Sequence, residues 1–392
     1  MSPRLLRFLF GLLLLSVSVS TTLAADVVAS DKGKLSDDKA TRWFDLRVLN
    51  LEGQAWSDTK SPFDRFPAKA EKKVRDAVWG LSRHSTGLCA RFETNAASIK
   101  AKWTLTSAKL EMPHMPATGV SGLDLYVRSE DGFWRWLANG RPSAQTNEAT
   151  LVANLPALRK PTESREFLLY LPLYNGVSSV EIGMPADAKL AKADPYLNDD
   201  GSLRKPIVFY GTSITQGGCA SRPGMVHTAI LQRRLDHPVV NLGFSGNGKM
   251  EMEVVELIAE IDASCYVIDC LPNLEPKEVA ERTEPLVRKL REARPKTPIL
   301  LVEDRSYSDS FLVTSKRERN DHNRHALHSA HARLRGDGVE GLFYLDGDFL
   351  LGADNEGTVD SSHPTDLGFF RQADAFEQVL RPILFGEDRN GK

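Results

Sequence analysis

Cysteine is scarce in this chain, four in 392 residues, which excludes the small class of folds where disulfides stand in for a core. Two of the four, Cys265 and Cys270, bracket the β-rich run YVID at an odd offset, so a strand there points them to opposite faces and away from each other. A bridge involving Cys89 or Cys219 stays open, and a buried small hydrophobe is the default for each. Charge of one sign is also missing, because 50 Lys and Arg stand against 52 Asp and Glu. Nothing in that balance draws the chain to nucleic acid or to an anionic membrane surface. Apolar runs long enough to span a bilayer are absent from the body of the chain, and there is no internal repeat or low-complexity tract.

The start of the chain is different. Arg4 and Arg7 precede the apolar run FLFGLLLLSVSV, and the small residues of TTLAAD follow it. That is the layout of a secretory signal peptide over residues 1–25, cleaved after Ala24 or Ala25, and it leads us to expect a secreted or periplasmic protein. No cysteine stands at the cleavage point, which argues against a lipid anchor; an uncleaved N-terminal anchor is the alternative.

A chain of this length calls for two domains. Residues 40–190 carry short, aromatic, alternating runs such as RWFDLRVLN, GLCARFET, SIKAKWTLT and FLLYLPLY, separated by Gly, Pro, Asn and Asp, which predicts an antiparallel β-sandwich. DAKLAKADPYLNDDGSLRKP breaks the pattern and reads as the linker. From 204 to 385 the rhythm becomes IVFYG, PVVNLGF, CYVIDCL, PILLVED and GLFYLDG alternating with helix-length segments, which predicts a parallel sheet covered on both faces.

Chemistry-bearing residues sit at the carboxyl ends of those strands, where ligands bind in such sheets. KPIVFYGTSITQGG ends a buried strand on Gly211 and presents Ser213, either as a nucleophile or as part of an ordinary strand-to-helix turn. GFSGNG offers the backbone N–H of Gly246, and LPNL the side-chain amide of Asn273, both donor types that stabilise an oxyanion, though each also suits a plain turn. GTVDSSHPTDLGFF places Asp360 three residues before His363, so that a carboxylate can fix the imidazole tautomer, ahead of a helix with Phe369, Ala373, Phe376 and Leu380 on one face.

The ordered set GTSIT, GFSGNG, PN and DSSHP resembles the SGNH or GDSL hydrolase superfamily over Pro206 to about Leu384, and the preceding region with SGLDLY resembles the N-terminal domain of one branch of it. The resemblance implies a three-layer α/β/α domain with a flavodoxin-like parallel sheet. It also implies an ester hydrolase in which Ser213 attacks, His363 shuttles the proton and Asp360 orients the ring. The N–H groups of Ser213 and Gly246, with the Asn273 amide, would hold the oxyanion, and no cofactor or metal is implied. Thr212 stands where the common motif has Asp, and Pro-Asn where many members have Gly-x-Asn; both bear on substrate more than on chemistry.

Arg222 and His227, close after the nucleophile, are candidate substrate-binding residues. Glu303, Asp304 and Arg305 read as an internal ion pair. GFSGNGKM matches a phosphate-loop spacing but has Met250 where a magnesium-binding hydroxyl belongs. His322, His325, His328 and His331 turn about 60° from one to the next on a helix and so cannot all face one metal. The expected substrate is an O-acetyl or other short acyl ester of a carbohydrate, because nothing in the segment after Ser213 reads as an apolar lid. The alternatives are a lipid esterase of lysophospholipase or thioesterase type, and a non-catalytic glycan-binding surface protein.

Overall fold

Alternation at period two decides the first half of the chain: in Ile99–Leu105 every other side chain is buried, as a strand covered on one face requires. The computed structural model describes residues 26–160, 163–348 and 350–386, so the leader-like segment lies outside the described residues. The strands of this half are β1 (Gly33–Leu35), β2 (Thr41–Asp45), β3 (Leu51–Glu52), β4 (Cys89–Thr94), β5 (Ile99–Leu105) and β6 (Leu123–Arg128). They continue as β7 (Trp134–Gly140), β8 (Thr146–Val152), β9 (Arg165–Tyr170), β10 (Val177–Pro185) and β11 (Leu190–Lys192). Two antiparallel sheets, ordered β1-β2-β10-β5-β8 and β11-β4-β9-β6-β7, enclose a core containing Phe44, Phe92, Trp103, Leu125, Phe167 and Ile182. The sandwich exceeds the expected 40–190 boundary at its start, since β1 precedes it. It also takes up part of the expected linker, because β11 pairs with β4.

In the second half, β12 (Ile207–Gly211), β13 (Val239–Gly243), β14 (Cys265–Asp269), β15 (Ile299–Val302) and β16 (Leu342–Leu345) form one parallel sheet in the order β13-β12-β14-β15-β16. The first four are buried at every position, as apolar runs covered on both faces must be. After the short helices α1 (Asp76–Ser82), α2 (Ala117–Val120) and α3 (Ser213–Gln216), helices α4 (His227–Leu235) and α8 (Asp366–Phe385) cover one face, with Ile230, Leu231, Phe369 and Phe376 in its core. On the other face lie α5 (Met252–Glu260), α6 (Pro276–Ala293) and α7 (Thr314–Gly336), packed through Leu257, Leu286 and Leu327. The strand order is the flavodoxin-like one, with its switch point beside β12.

The two halves share more than a linker. The excursion between β3 and β4 sends Phe66, Val74 and Val78 into the same core as Val240, Leu242 and Phe244. The Asp of the GLDLY run closes a second junction: Asp124, fully buried, accepts from Arg222 Nη1 at 2.7 Å and Gly224 N at 2.8 Å through Oδ2, and from Trp136 Nε1 at 2.8 Å through Oδ1. Removing one partner of such a pair strands the other charge. Asp124→Ala is therefore expected to cost roughly 3 kcal/mol in urea denaturation, whereas Asp131→Ala, which breaks an exposed pair on the same hairpin, leaves the midpoint in place.

All four cysteines are free and buried. Two histidines, His227 and His237, are buried, and His84 is partly buried. His227 is stacked on Phe369 and Phe376, with both ring nitrogens unpartnered, and burial drives its pKa well below the ordinary value. Burial lowers His84 and His237 from 6.5 to about 4. Between about pH 6.5 and 4 the unfolded chain binds protons that the folded one refuses. Stability that is present above 6.5 is then lost as pH falls through 4, at up to about 1.4 kcal/mol per pH unit for each ring. Denaturant midpoints at pH 7 and pH 4.5 check this, and equal midpoints would contradict it.

Candidate active site

Register sets the site's height. Gly211 pairs across the parallel sheet with Gly243 on one side and Asp269 on the other, so the loops after β12, β13 and β14 leave the sheet at one level. Glycine is needed where they meet: a Cβ on Gly243 would lie 2.1 Å from Gln216 N, and one on Gly248 would lie 1.9 Å from Gly211 O. After β12, Thr212 is extended and its hydroxyl accepts from Ile214 N at 3.3 Å, capping the short helix Ser213–Gln216. This is the work Thr does in the position where the common motif has Asp.

Ser213 is only 9% exposed, and its Oγ lies 2.8 Å from His363 Nε2. His363 Nδ1 in turn lies 2.7 Å from Asp360 Oδ2. Asp360 Oδ1 accepts from the N–H groups of His363 (2.8 Å) and Ser362 (3.1 Å), and Ser361 adopts φ +74° between them, which folds acid and imidazole onto each other. Partial burial pushes the Asp360 carboxyl up, but the His363 backbone and ring and the Ser362 N–H outweigh it and hold the group below the usual carboxylate range. Val359 N donates to His363 O at 2.8 Å, closing the loop at its base.

Gly246, exposed at φ +68°, lies in a turn closed by Gly248 N donating to Phe244 O at 2.9 Å. The hydrogen-bond surroundings assign the Asn273 amide with Oδ1 toward the N–H groups of Asn247 (3.0 Å) and Gly248 (3.1 Å), which holds its NH₂ on the opposite side of the amide. Ser245 N donates to Gln216 Oε1 at 2.9 Å, tying this turn to the Ser213–Gln216 helix. The structure thus brings Ser213, His363 and Asp360 into one hydrogen-bonded chain and places Gly246 on a loop fastened to Ser213's own helix, with the Asn273 amide, from the turn after β14, set against that loop.

One sequence candidate is corrected and the other gains a structural role. His227 is fully buried among phenylalanines and is a core residue of α4, out of reach of substrate. Arg222 holds Asp124 and the Tyr126 hydroxyl (2.5 Å), so its first duty is the junction between the two halves. The expected ion pair at 303–305 finds its partners outside the tripeptide. Arg305 grips Asp269 with both sides buried, Asp304 pairs with Arg319 at 3.1 Å, and Glu303 accepts from Tyr344 OH at 2.6 Å. Met250 is buried in the core, and no group of three metal-ligating side chains occurs among the described residues.

Other site residues come from the first half and carry no local signal. Tyr174 OH donates to the carbonyl of Ser213 at 3.1 Å, His84 Nδ1 meets Gln216 Nε2 at 3.0 Å, and the His114 ring stands 6.2 Å from that of His363. An apolar rim was also missed. Phe311, Leu312 and Val313 are exposed on a loop joined to the acid–imidazole loop by Ser308 N donating to Ser361 O at 3.0 Å, and Val359 and Leu367 are exposed beside His363.

Residues 204–381 match the model of the GDSL-like lipase/acylhydrolase family, and residues 41–190 match that of the GxDLY N-terminus of SGNH-hydrolase-type esterases. A solved structure described as a GDSL-like lipase, from Bacteroides ovatus, is 37% identical with a TM-score of 0.81, covering 88% of this chain and 98% of its own. The chain belongs to the GDSL-like lipase/acylhydrolase family. Two more distant structures share the fold of this GDSL-like hydrolase. The salicylyl-acyltransferase SsfX3 of a tetracycline biosynthetic pathway is 18% identical, with a TM-score of 0.67 over 92% of this chain and 99% of its own. A family two carbohydrate esterase from Clostridium thermocellum, solved with cellohexaose, is 13% identical, with a TM-score of 0.52 over 76% and 95%. No curated protein matches the chain.

Tyr174 touches the carbonyl of Ser213, so Tyr174→Phe is expected to lower kcat by about tenfold by letting Ser213 drift, with KM and the melting temperature nearly unchanged. A fall in melting temperature at constant kcat would make Tyr174 a packing residue only.

Proposed function

We propose that this GDSL-like hydrolase is an exported serine esterase that removes O-acetyl or other short acyl groups from carbohydrate. The observation that carries the reading is the unbroken chain from Ser213 Oγ through His363 to Asp360, at 2.8 and 2.7 Å. His363 Nε2 takes the Ser213 proton as Oγ attacks the ester carbonyl, and the ring, held by Asp360, carries the resulting charge. The oxyanion is met by the N–H groups of Ser213 and Gly246 and by the Asn273 amide, whose oxygen is already held by the loop. His363 then returns the proton to the departing alcohol. A water, deprotonated by the same ring, hydrolyses the acyl-enzyme and frees Ser213.

The small residues around Ser213 and the leader-like start support the short-acyl, exported part of the reading. The architecture shared with a carbohydrate esterase adds an analogy at the level of fold. A second reading, a lipid esterase, has the rim of Phe311, Leu312, Val313, Val359 and Leu367 in its favour, because each methylene buried on such a surface is worth about 0.8 kcal/mol.

Ser213→Ala and His363→Ala are each expected to lower turnover by roughly 10⁴ to 10⁶ without unfolding the protein, with a smaller loss for Asp360→Asn. A fluorophosphonate should label the wild type at Ser213 and leave Ser213→Ala unlabelled. Retention of a tenth of the activity by Ser213→Ala would end the proposal. Higher kcat/KM on p-nitrophenyl octanoate than on the acetate, or fatty acid released from a lysophospholipid while acetylated xylan stays intact, would select the lipid reading.

A further inference from the structure

A second cleft, of about 720 Å³, opens where the β6–β7 hairpin of the sandwich meets α4 and α8. Three of its rings face solvent: Phe133 is 62% exposed, Trp136 49% and Phe370 41%. Guanidinium groups alternate with them, Arg222 lying 5.0 Å from the Trp136 ring, Arg135 5.7 Å from Phe133 and Arg234 5.3 Å from Phe370. Arg233 sits beneath, 4.0 Å from Tyr126, and donates to Gly224 O at 2.7 Å. The other arginines of the cleft hold carboxylates: Arg135 pairs with Asp131, Arg222 with Asp124, Arg128 with Asp236, Arg234 with Asp374 and Arg381 with Glu377.

This chemistry selects its ligand. Because almost every cation here is already neutralised, an anion gains little Coulomb attraction, whereas the paired guanidinium and carboxylate groups remain fixed donors and acceptors for hydroxyls. Exposed rings offer flat apolar faces to the C–H side of a pyranose. The site is concave and shaped by two domains, which suits a small ligand better than a flat protein interface. It is also tied to the acid–imidazole loop: Ser221 N, next to Arg222, donates to Asp366 Oδ1 at 3.0 Å, and Asp366 opens α8 three residues after His363.

We infer that the cleft is a saccharide subsite that holds unreacted sugar units of a polymeric substrate while an acylated unit occupies the Ser213 centre. The inference deepens the carbohydrate reading and rests on it for the identity of the polymer. Calorimetric titration of the full-length protein with xylohexaose, cellohexaose and an oligogalacturonide tests it. A neutral hexasaccharide should bind, Phe133→Ala and Phe370→Ala should each weaken it fivefold or more, and Phe133→Tyr should restore it. In the same variants kcat/KM on p-nitrophenyl acetate should be unchanged, while kcat/KM on acetylated xylan falls. Binding of the acidic oligosaccharide alone, affinities that the variants leave unaltered, or a dimer in solution that Phe133→Ala dissolves would each overturn the assignment. A protein that deacetylates xylan yet binds none of the three sugars refutes the subsite alone. One that binds sugar but neither labels at Ser213 nor hydrolyses esters refutes the esterase reading alone.

Discussion

One buried guanidinium holds the two halves of the molecule in register. Arg65, 1% exposed, has no carboxylate partner among the described residues; it donates to the carbonyls of Leu81 (2.7 Å) and His84 (3.0 Å) on its own excursion and of Asn241 (3.1 Å) and Gly243 (2.7 Å) at the end of β13. A buried charge is tolerable only when its donors are satisfied, so these four carbonyls cannot separate without stranding it. Burial lowers its pKa to about 9, which still leaves the side chain charged at neutral pH. Because β13 ends at Gly243, the turn that carries Gly246 starts from the point that Arg65 grips.

The site inherits that constraint. The excursion that carries Arg65 also carries His84, which reaches Gln216, the last residue of the Ser213 helix, and Gln216 in turn accepts from the N–H of Ser245. Tyr174 reaches the carbonyl of Ser213 from the sandwich. Behind the same helix, Thr215 donates to Asp269 at 3.0 Å, and Asp269 is clasped by Arg305, which also meets Gln372 on α8. Ser213 is therefore braced from the sandwich on one side and from the sheet and α8 on the other. The loops around it differ in character: the one carrying Gly246 is glycine-rich and polar, whereas the 311–313 segment, on the loop joined to the acid–imidazole loop through Ser308 and Ser361, is apolar.

The block order of Ser213, Gly246, Asn273 and the Asp360–His363 pair was legible in the sequence because each stands at the end of a strand or in the loop before a helix, where local pattern and turn chemistry are strong. Parallel register then does the assembly: once β12, β13 and β14 are side by side, their carboxyl ends meet at one level. His227 was misjudged, and the junction held by Arg222 was not foreseen, for a related reason. Nearness to Ser213 in the chain suggested nearness to substrate, but Gly217, at φ +106°, ends the short helix, and the following segment then turns toward the sandwich and into α4. There an arginine meets Asp124 and a histidine meets phenylalanines.

By itself the sequence determined the two-part architecture and the parallel sheet, since these follow from periodicity, and the order of its short blocks singled out Ser213, Asp360 and His363 through their resemblance to a known family. Only the tertiary structure decided which side chains surround them. Tyr174, His84 and His114 lie 39, 132 and 249 positions from the groups they meet, and contacts at such separations leave no trace in local propensity. The GLDLY run shows the same division. Its alternation announces a strand, but only docking against Arg222 and Gly224 shows why its polar position is an aspartate: a buried carboxylate must find its cation and its N–H, and both are supplied by the other half of the chain.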